Sequence, residues 1–285
     1  MPSGRRRRRA PNANGAGSRP TGVRVTVAAT VSRVFDYAAI VPDTALLVPG
    51  AAGAADVLTE VRDAALAAVA DLLAAEPARI VVVAPGTADR MRPGPFVADL
   101  GAAGIDSGTL DWSVPPSHPD VTPTVVHGPA ACVALLLLGR SGWTGPVTLI
   151  EVTPPGEEEF TQAPLRASEL AALGQGVTAG VERVGVLVVG SLSARRGPDA
   201  PLAENPRAVA VDGGMLTDLA DAGPQARSRL AVMAPALAAE LAVSAWAPLQ
   251  VLLGAVGRRA AVEATVRHVS APLGVTYAVA AWTTA

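Results

Sequence analysis

Two short aliphatic runs constrain the fold of this chain more than any other feature. Residues 79–84 (RIVVVA) and residues 184–190 (VGVLVVG) show no alternation of polar and apolar side chains, and Pro77 and Pro85 bound the first run. A strand without alternation is buried on both faces, as at the centre of a parallel sheet that helices cover on both sides. The two runs therefore predict an α/β fold.

Other strands and helices alternate around these runs. Further strand patterns lie at residues 23–31, 35–41, 146–152, 262–268 and 274–283. Apolar residues indicate helices at residues 54–75, 129–138, 164–182, 207–222 and 234–256, the last with an expected interruption near Pro248. This order predicts a single three-layer α/β domain with a central mixed β-sheet flanked by helices.

The composition argues against several classes of protein. The net charge is −2, so no overall positive field attracts nucleic acid or an anionic membrane surface. No apolar stretch reaches the roughly 18–20 residues that a membrane span needs. The one cysteine, Cys132, rules out an internal disulfide and a multi-cysteine zinc site, and it suits a reducing compartment. We therefore expect a cytoplasmic protein whose Cys132 belongs to the core.

The first part of the chain differs in composition from the remainder. Five consecutive arginines at residues 5–9 precede a run rich in Pro, Asn, Gly and Ser. Such a segment has too few apolar residues to form a core. We predict a disordered arginine-rich tail over residues 1–22, followed by one domain over residues 23–285.

Three segments that follow or end predicted strands share a pattern with a known family. They are residues 41–49 (VPDTALLVP), 83–86 (VAPG) and 190–201 (GSLSARRGPDAP), and residues 252–255 (LLGA) and 272–277 (PLGVTY) add to the match. In this order and spacing the chain resembles the class III extradiol ring-cleavage dioxygenases, specifically the catalytic B subunit of protocatechuate 4,5-dioxygenase. The resemblance implies a B-subunit-like fold over residues 35–285.

The same resemblance implies a non-haem Fe(II) site held by two histidines and a glutamate, with a further histidine as the acid/base. The positions that match the metal ligands are Asp43, Gly86 and, near the glutamate, Ala130, while the acid/base position is Ala194. Gly86 and Ala194 have no side chain that can bind a metal or transfer a proton. We therefore expect no cofactor, no catalytic residue and no ring cleavage.

The remaining polar side chains near these loops are candidate ligand-binding groups. They are Asp43, His127, Ser191, Ser193, Arg195 and Arg196. Arginines and hydroxyls at the carboxyl end of a buried strand can hold a carboxylate or a phosphate. The alternative is that the two arginines face solvent or pair with Asp199 and Glu204, and that Asp43 bonds its own backbone.

Three hypotheses about function follow. The first is a non-catalytic homologue that binds a small anionic ligand or a protein partner. The second is a metal-dependent, dioxygenase-like enzyme with a relocated site built from Asp43, His127 and a carboxylate such as Glu151. The third is a structural or interaction subunit, which an exposed apolar helix or a self-complementary edge strand would favour and which can form a homo-oligomer.

Overall fold

The computed structural model describes residues 35–106, 108, 110, 112, 122–155, 163–180, 182–257 and 261–284. The predicted tail and the predicted strand at residues 23–31 lie outside these residues. The described part contains one sheet of seven strands and a second sheet of two short strands.

The large sheet is mixed, and its parallel strands lie at the centre. Its strands are β1 (Phe35–Val41), β2 (Arg79–Pro85), β3 (Arg90–Pro93), β6 (Val147–Val152), β7 (Val184–Val189), β8 (Val262–Ser270) and β9 (Tyr277–Thr284). They lie in the order β3-β6-β2-β7-β1-β9-β8. Strands β6, β2, β7 and β1 pair in parallel, whereas β3, β9 and β8 are antiparallel to their neighbours. The small sheet pairs β4 (Phe96–Ala98) with β5 (Thr124–Val126).

Helices cover both faces of this sheet. They are α1 (Thr59–Ala74), α2 (Pro129–Arg140), α3 (Ala163–Val177), α4 (Ala208–Asp221), α5 (Pro224–Ala231), α6 (Pro235–Glu240) and α7 (Trp246–Val256). Along β2, Ile80 and Val82 face the core beneath α1 and α2, while Val81 and Val83 face the core beneath α3, α4 and α7. The two runs predicted to be central are therefore buried on both faces, and the three-layer α/β prediction is confirmed.

The structure corrects four details of the predicted helices. Helix α1 begins at Thr59 rather than at residue 54, α3 ends at Val177 rather than at residue 182, and α5 was not predicted. The predicted helix at residues 234–256 is broken at residues 241–245, where Ala242 has a left-handed φ of 52°, and not at Pro248. Pro248 lies in the first turn of α7, where a missing backbone N–H costs nothing.

No helix of the described residues is long and apolar enough to cross a membrane.

The four parallel strands end at one edge of the sheet, and β9 and β3 begin there because they run in the opposite direction. The loops that match the dioxygenase pattern therefore meet at this edge. We call it the carboxyl edge.

Candidate functional site at the carboxyl edge

Asp43 is held by a residue that lies far away in the sequence. It follows β1, and its Oδ1 accepts a hydrogen bond of 2.5 Å from the Ser191 hydroxyl, which lies beyond the end of β7. The Ser191 backbone N–H in turn donates to the Ser244 hydroxyl at 2.8 Å. Strands β1 and β7 are neighbours, so their following loops come into contact. The Ser191 hydroxyl therefore makes a hydrogen bond within the fold, and that hydrogen bond is no evidence of a bound ligand.

A buried carboxylate fixes the remainder of the loop after β7. Asp212, on α4, is fully buried, and its two oxygens accept from the Ser193 backbone N–H at 3.0 Å and the Thr276 hydroxyl at 2.6 Å. Burial raises the pKa of the Asp212 carboxyl, and these two hydrogen bonds and the charge of Arg196 oppose that rise. No local pattern predicts this role, because Asp212 lies in the middle of a helix pattern and its partners are 19 and 64 residues away.

Ser193 and Ala194 also serve this local structure. The fully buried Ser193 hydroxyl accepts from the backbone N–H of Arg195 at 3.2 Å. Ala194, at the position that the family resemblance gives to the acid/base, donates its backbone N–H to Leu241 O at 3.1 Å. Neither residue presents a group that can transfer a proton to a ligand.

Glu151 occupies the space beside Gly86, the residue that the family resemblance places at the second metal-ligand position. A Cβ atom on Gly86 would lie 2.8 Å from the Glu151 Cβ, and one on Gly128 would lie 2.9 Å from the Glu151 Oε1. The Glu151 side chain, on β6, is only 3% exposed. The two glycines therefore form a cradle that the glutamate fills.

Two arginines of β3 neutralise this buried carboxylate. Arg92 Nη2 lies 2.5 Å from Glu151 Oε2, and Arg90 Nε lies 3.7 Å from the same oxygen. Strand β3 runs antiparallel to β6, with Arg90 opposite Glu151, which brings the two cations to the carboxylate. The positive charge that balances Glu151 thus comes from the side chains of Arg92 and Arg90.

The described residues do not fit the Fe(II) site that the resemblance implies. Gly86 has no ligand atom, Ala130 has only a buried methyl group, and the buried Glu151 carboxylate is already bonded to Arg92. Asp43 keeps a carboxylate, which accepts the hydrogen bond from Ser191. One carboxylate does not replace the two histidines and the glutamate that such a site requires.

The structure also keeps apart the three residues of the relocated metal site. Asp43 follows β1 and Glu151 lies on β6, and two strands separate β1 from β6, so the two positions lie about 14 Å apart at the usual strand spacing. His127 Nδ1 lies 3.0 Å from Asp99 Oδ2 instead. Among the residues that the structure describes, no group of three or more His, Cys, Asp or Glu side chains is placed to hold a metal ion.

Arg195 lines an open cleft beside the carboxyl edge. The cleft has a volume of about 610 Å³, and its polar lining residues are Arg195, Asn205, Arg207 and Glu240. Arg195 donates from Nη1 to Ala203 O at 3.0 Å, while its Nε is buried and makes no hydrogen bond. Glu240 accepts from Asn205 at 2.9 Å and from Arg207 at 2.8 Å. The hydrogen bond from Asn205 is the main cause of a lowered pKa of Glu240. The hydrogen bond from Arg207 and the charges of Arg207 and Arg195 lower this pKa further.

Neither arginine of this loop is paired with an acidic side chain among the described residues. Arg195 and Arg196 form no ion pair with Asp199 or Glu204, which were the alternative partners. Arg196 instead donates its backbone N–H to Gly274 O at 3.0 Å and lies 3.4 Å from the Thr276 hydroxyl. Of the six candidate residues, Arg195 is the one that lines this cleft.

Cys132 lies in the core, as the sequence indicated, and it is expected to be unreactive. Its thiol is fully buried on α2 and donates to Val126 O at 3.0 Å. Burial raises the pKa of the Cys132 thiol to about 11. Because the thiolate is the reactive form, modification by a disulfide reagent at pH 8 should be about 100-fold or more slower in the native protein than in urea. Equal rates in the two states would contradict this prediction.

Comparisons with known proteins assign this chain to no family. No protein-family model matches the chain, and no curated protein matches it. Among solved structures, it is similar to the crystal structure of the uncharacterized protein JW3007 from Escherichia coli K12, with 14% sequence identity and a TM-score of 0.44. That match covers 87% of this chain and 99% of the other chain.

Proposed function

We propose that this protein is a non-catalytic relative of the class III extradiol dioxygenases that binds a small anionic molecule in the cleft beside Arg195. The observation that carries the proposal is that the carboxyl edge differs from the family pattern at two places, the metal-ligand positions and the acid/base loop. Gly86 and Ala130, at two positions that the resemblance gives to metal ligands, have no ligand atom, and Glu151 fills the space beside Gly86. The loop at the position of the acid/base instead carries Arg195, which lines an open cleft.

The filling of the cradle supports the non-catalytic part. The buried Glu151 carboxylate and the partly exposed Arg92 form a hydrogen-bonded ion pair where the family resemblance gives a histidine to bind iron. Releasing that carboxylate to a metal would break this ion pair. The pair therefore competes directly with metal binding at this position.

The electrostatics of the cleft support the anionic ligand. Arg195 lines the cleft, and no acidic side chain of the described residues lies within ion-pair distance of its guanidinium. Arginine donates in a planar fork that matches a carboxylate or a phosphate. Arg207 adds a second guanidinium to the lining, although Glu240 already neutralises part of its charge. A single anionic group of a small molecule matches the net charge of this lining.

Isothermal titration with sodium benzoate and with inorganic phosphate tests this proposal. Replacing Arg195 by glutamine should weaken the binding of the preferred anion by about 10- to 100-fold, since a hydrogen bond to a charged group contributes about 1.5–3 kcal/mol. Glu240→Gln should strengthen binding, because it removes the negative charge that competes with the ligand while it keeps an acceptor for Asn205.

The control is Arg140→Gln, because Arg140 is exposed in the last turn of α2 and lies outside the cleft lining. That variant should bind like the wild-type protein. Equal affinities for the Arg195→Gln and wild-type proteins would contradict the proposed site. Ring opening of protocatechuate by the protein in the presence of Fe(II) would contradict the non-catalytic role.

A further inference from the structure

Strand β8 forms one edge of the large sheet. It has nine residues, Val262–Ser270, and pairs with β9 on one side only. On its other side no strand lies among the residues that the structure describes. At about 3.4 Å per residue, the strand presents an edge about 30 Å long. An edge of this length has a row of backbone donors and acceptors that can pair with another chain.

The side chains of β8 alternate between the core and the solvent, and a bulge between Val266 and His268 leaves Arg267 without a direct partner on β9. Val262, Ala264 and Val266 pack against the core that includes α4 and α7. Glu263, Thr265 and Arg267 are exposed along the other face. Arg267 forms an ion pair with Asp71 on α1, and Glu263 has no ion pair among the described residues. The exposed face thus carries an acidic and a basic residue placed symmetrically about Thr265.

We propose that two copies of this chain pair through β8, antiparallel, about a two-fold axis at Thr265. In that register Thr265 faces itself across the interface, and Glu263 of each copy faces Arg267 of the other. Both charged pairs are then of opposite sign, and each Arg267 lies between Asp71 of its own chain and Glu263 of the second copy. The two sheets join into one sheet of fourteen strands.

The charge pattern of β8 favours pairing with a second copy of the same chain. A two-fold interface requires a surface that is complementary to itself. Charged residues on an edge strand commonly prevent pairing because like charges meet. Here the antiparallel register centred on Thr265 makes both charged contacts attractive, whereas a parallel in-register pairing would place Glu263 opposite Glu263. The charges on β8 therefore favour the antiparallel orientation over the parallel one.

Disulfide trapping tests the register with the full-length protein. Residues directly opposite in an antiparallel pair have Cβ atoms about 4.5–5.5 Å apart, close enough for cysteines to cross-link with a small movement. Thr265→Cys should therefore form a disulfide-linked dimer on mild oxidation. Val269→Cys is the matched control, because Val269 is also exposed on β8 but in this register does not face itself. The native Cys132 is fully buried and should not contribute.

Charge variants test the same interface without cysteines. In sedimentation velocity over a range of concentrations, Glu263→Arg should raise the dimer dissociation constant at least about 10-fold, since two like-charged pairs replace two attractive ones. Arg267→Glu should do the same. A mixture of the two variants should form mixed dimers. Positions 263 and 267 are both basic in the first variant and both acidic in the second, so each charged contact between the two variants is attractive.

Three outcomes would overturn the proposal. They are a wild-type protein that is monomeric at every concentration, cross-linking of Thr265→Cys no faster than that of Val269→Cys, and no recovery of dimers in the mixture. A monomer in which residues 23–31 protect the β8 amides from hydrogen exchange would identify the chain's own predicted first strand as the occupant instead. Thermal melting of each variant shows whether it is folded.

Discussion

A histidine placed at position 86 is expected to destabilise the protein by about 3 kcal/mol and to bind no metal. The new Cβ would lie 2.8 Å from the Glu151 Cβ, which belongs to the strand and cannot rotate away. The imidazole would also displace the Glu151 carboxylate from Arg92. Overpacking alone typically costs about 1–3 kcal/mol, and the loss of the partly buried ion pair between Glu151 and Arg92 adds to it. Urea unfolding gives the change in stability, and a zinc titration shows whether a site has formed.

A double-mutant cycle separates the steric contact from other effects of the substitution. Gly86→Ala should cost about 2 kcal/mol in the wild-type background and much less with Glu151→Gly, because glycine at 151 removes the opposing Cβ. The coupling free energy should therefore be about 1–2 kcal/mol. Independent effects at the two positions, or a stable histidine variant that binds zinc tightly, would show that Glu151 does not fill the cradle.

Alanine at position 254 is expected to destabilise the protein by about 3 kcal/mol. Gly254 lies on α7, and a Cβ there would overlap the backbone of Ala171 on α3. Gly174 on α3 makes the reciprocal close approach to the backbone of α7 near Val251. Because backbone atoms cannot move aside as a flexible side chain does, the helices would have to separate, and the core between α7 and the sheet would lose packing.

The matched control is Gly213→Ala in α4. Gly213 is also helical, but it is exposed and a Cβ there meets nothing within 4 Å. This variant should be more stable than the wild type by up to about 1 kcal/mol, because alanine favours the helix over glycine. Chemical unfolding of both variants gives the comparison. Equal changes in stability at positions 254 and 213 would show that α3 and α7 are not in close contact.

The predictions that the structure confirms are those that depend on local pattern. Strand β1 lies where its apolar residues were found, and β2 and β7 are central because their runs do not alternate. The positions of the helices were wrong where one loop residue decided the boundary. Ala242 takes a left-handed conformation that alanine seldom adopts, so no residue type marked the break before α7.

The sequence could place the candidate residues at one edge of the sheet but could not assign their partners. The Ser191–Asp43 bond joins residues 148 positions apart, and the Asp212 contacts depend on how α4 packs against β9. Ser191 and Ser193 were candidate ligand-binding groups, and in the structure both form hydrogen bonds that hold the loop. Arg195 was a candidate because of its charge, and only the packing of the neighbouring helices gives it a cleft.

What the sequence determined by itself is the layered α/β fold and the absence of histidine at positions 43, 86 and 194, because both are read directly from residue types and their spacing along the chain. What only the tertiary structure decided is which groups meet at the carboxyl edge. Glu151 fills the cradle of Gly86 and Gly128 because strand pairing places β6 beside β2 and brings Arg92 on β3 to its carboxylate. Such contacts depend on distances between strands that are far apart in sequence, and no local pattern encodes them.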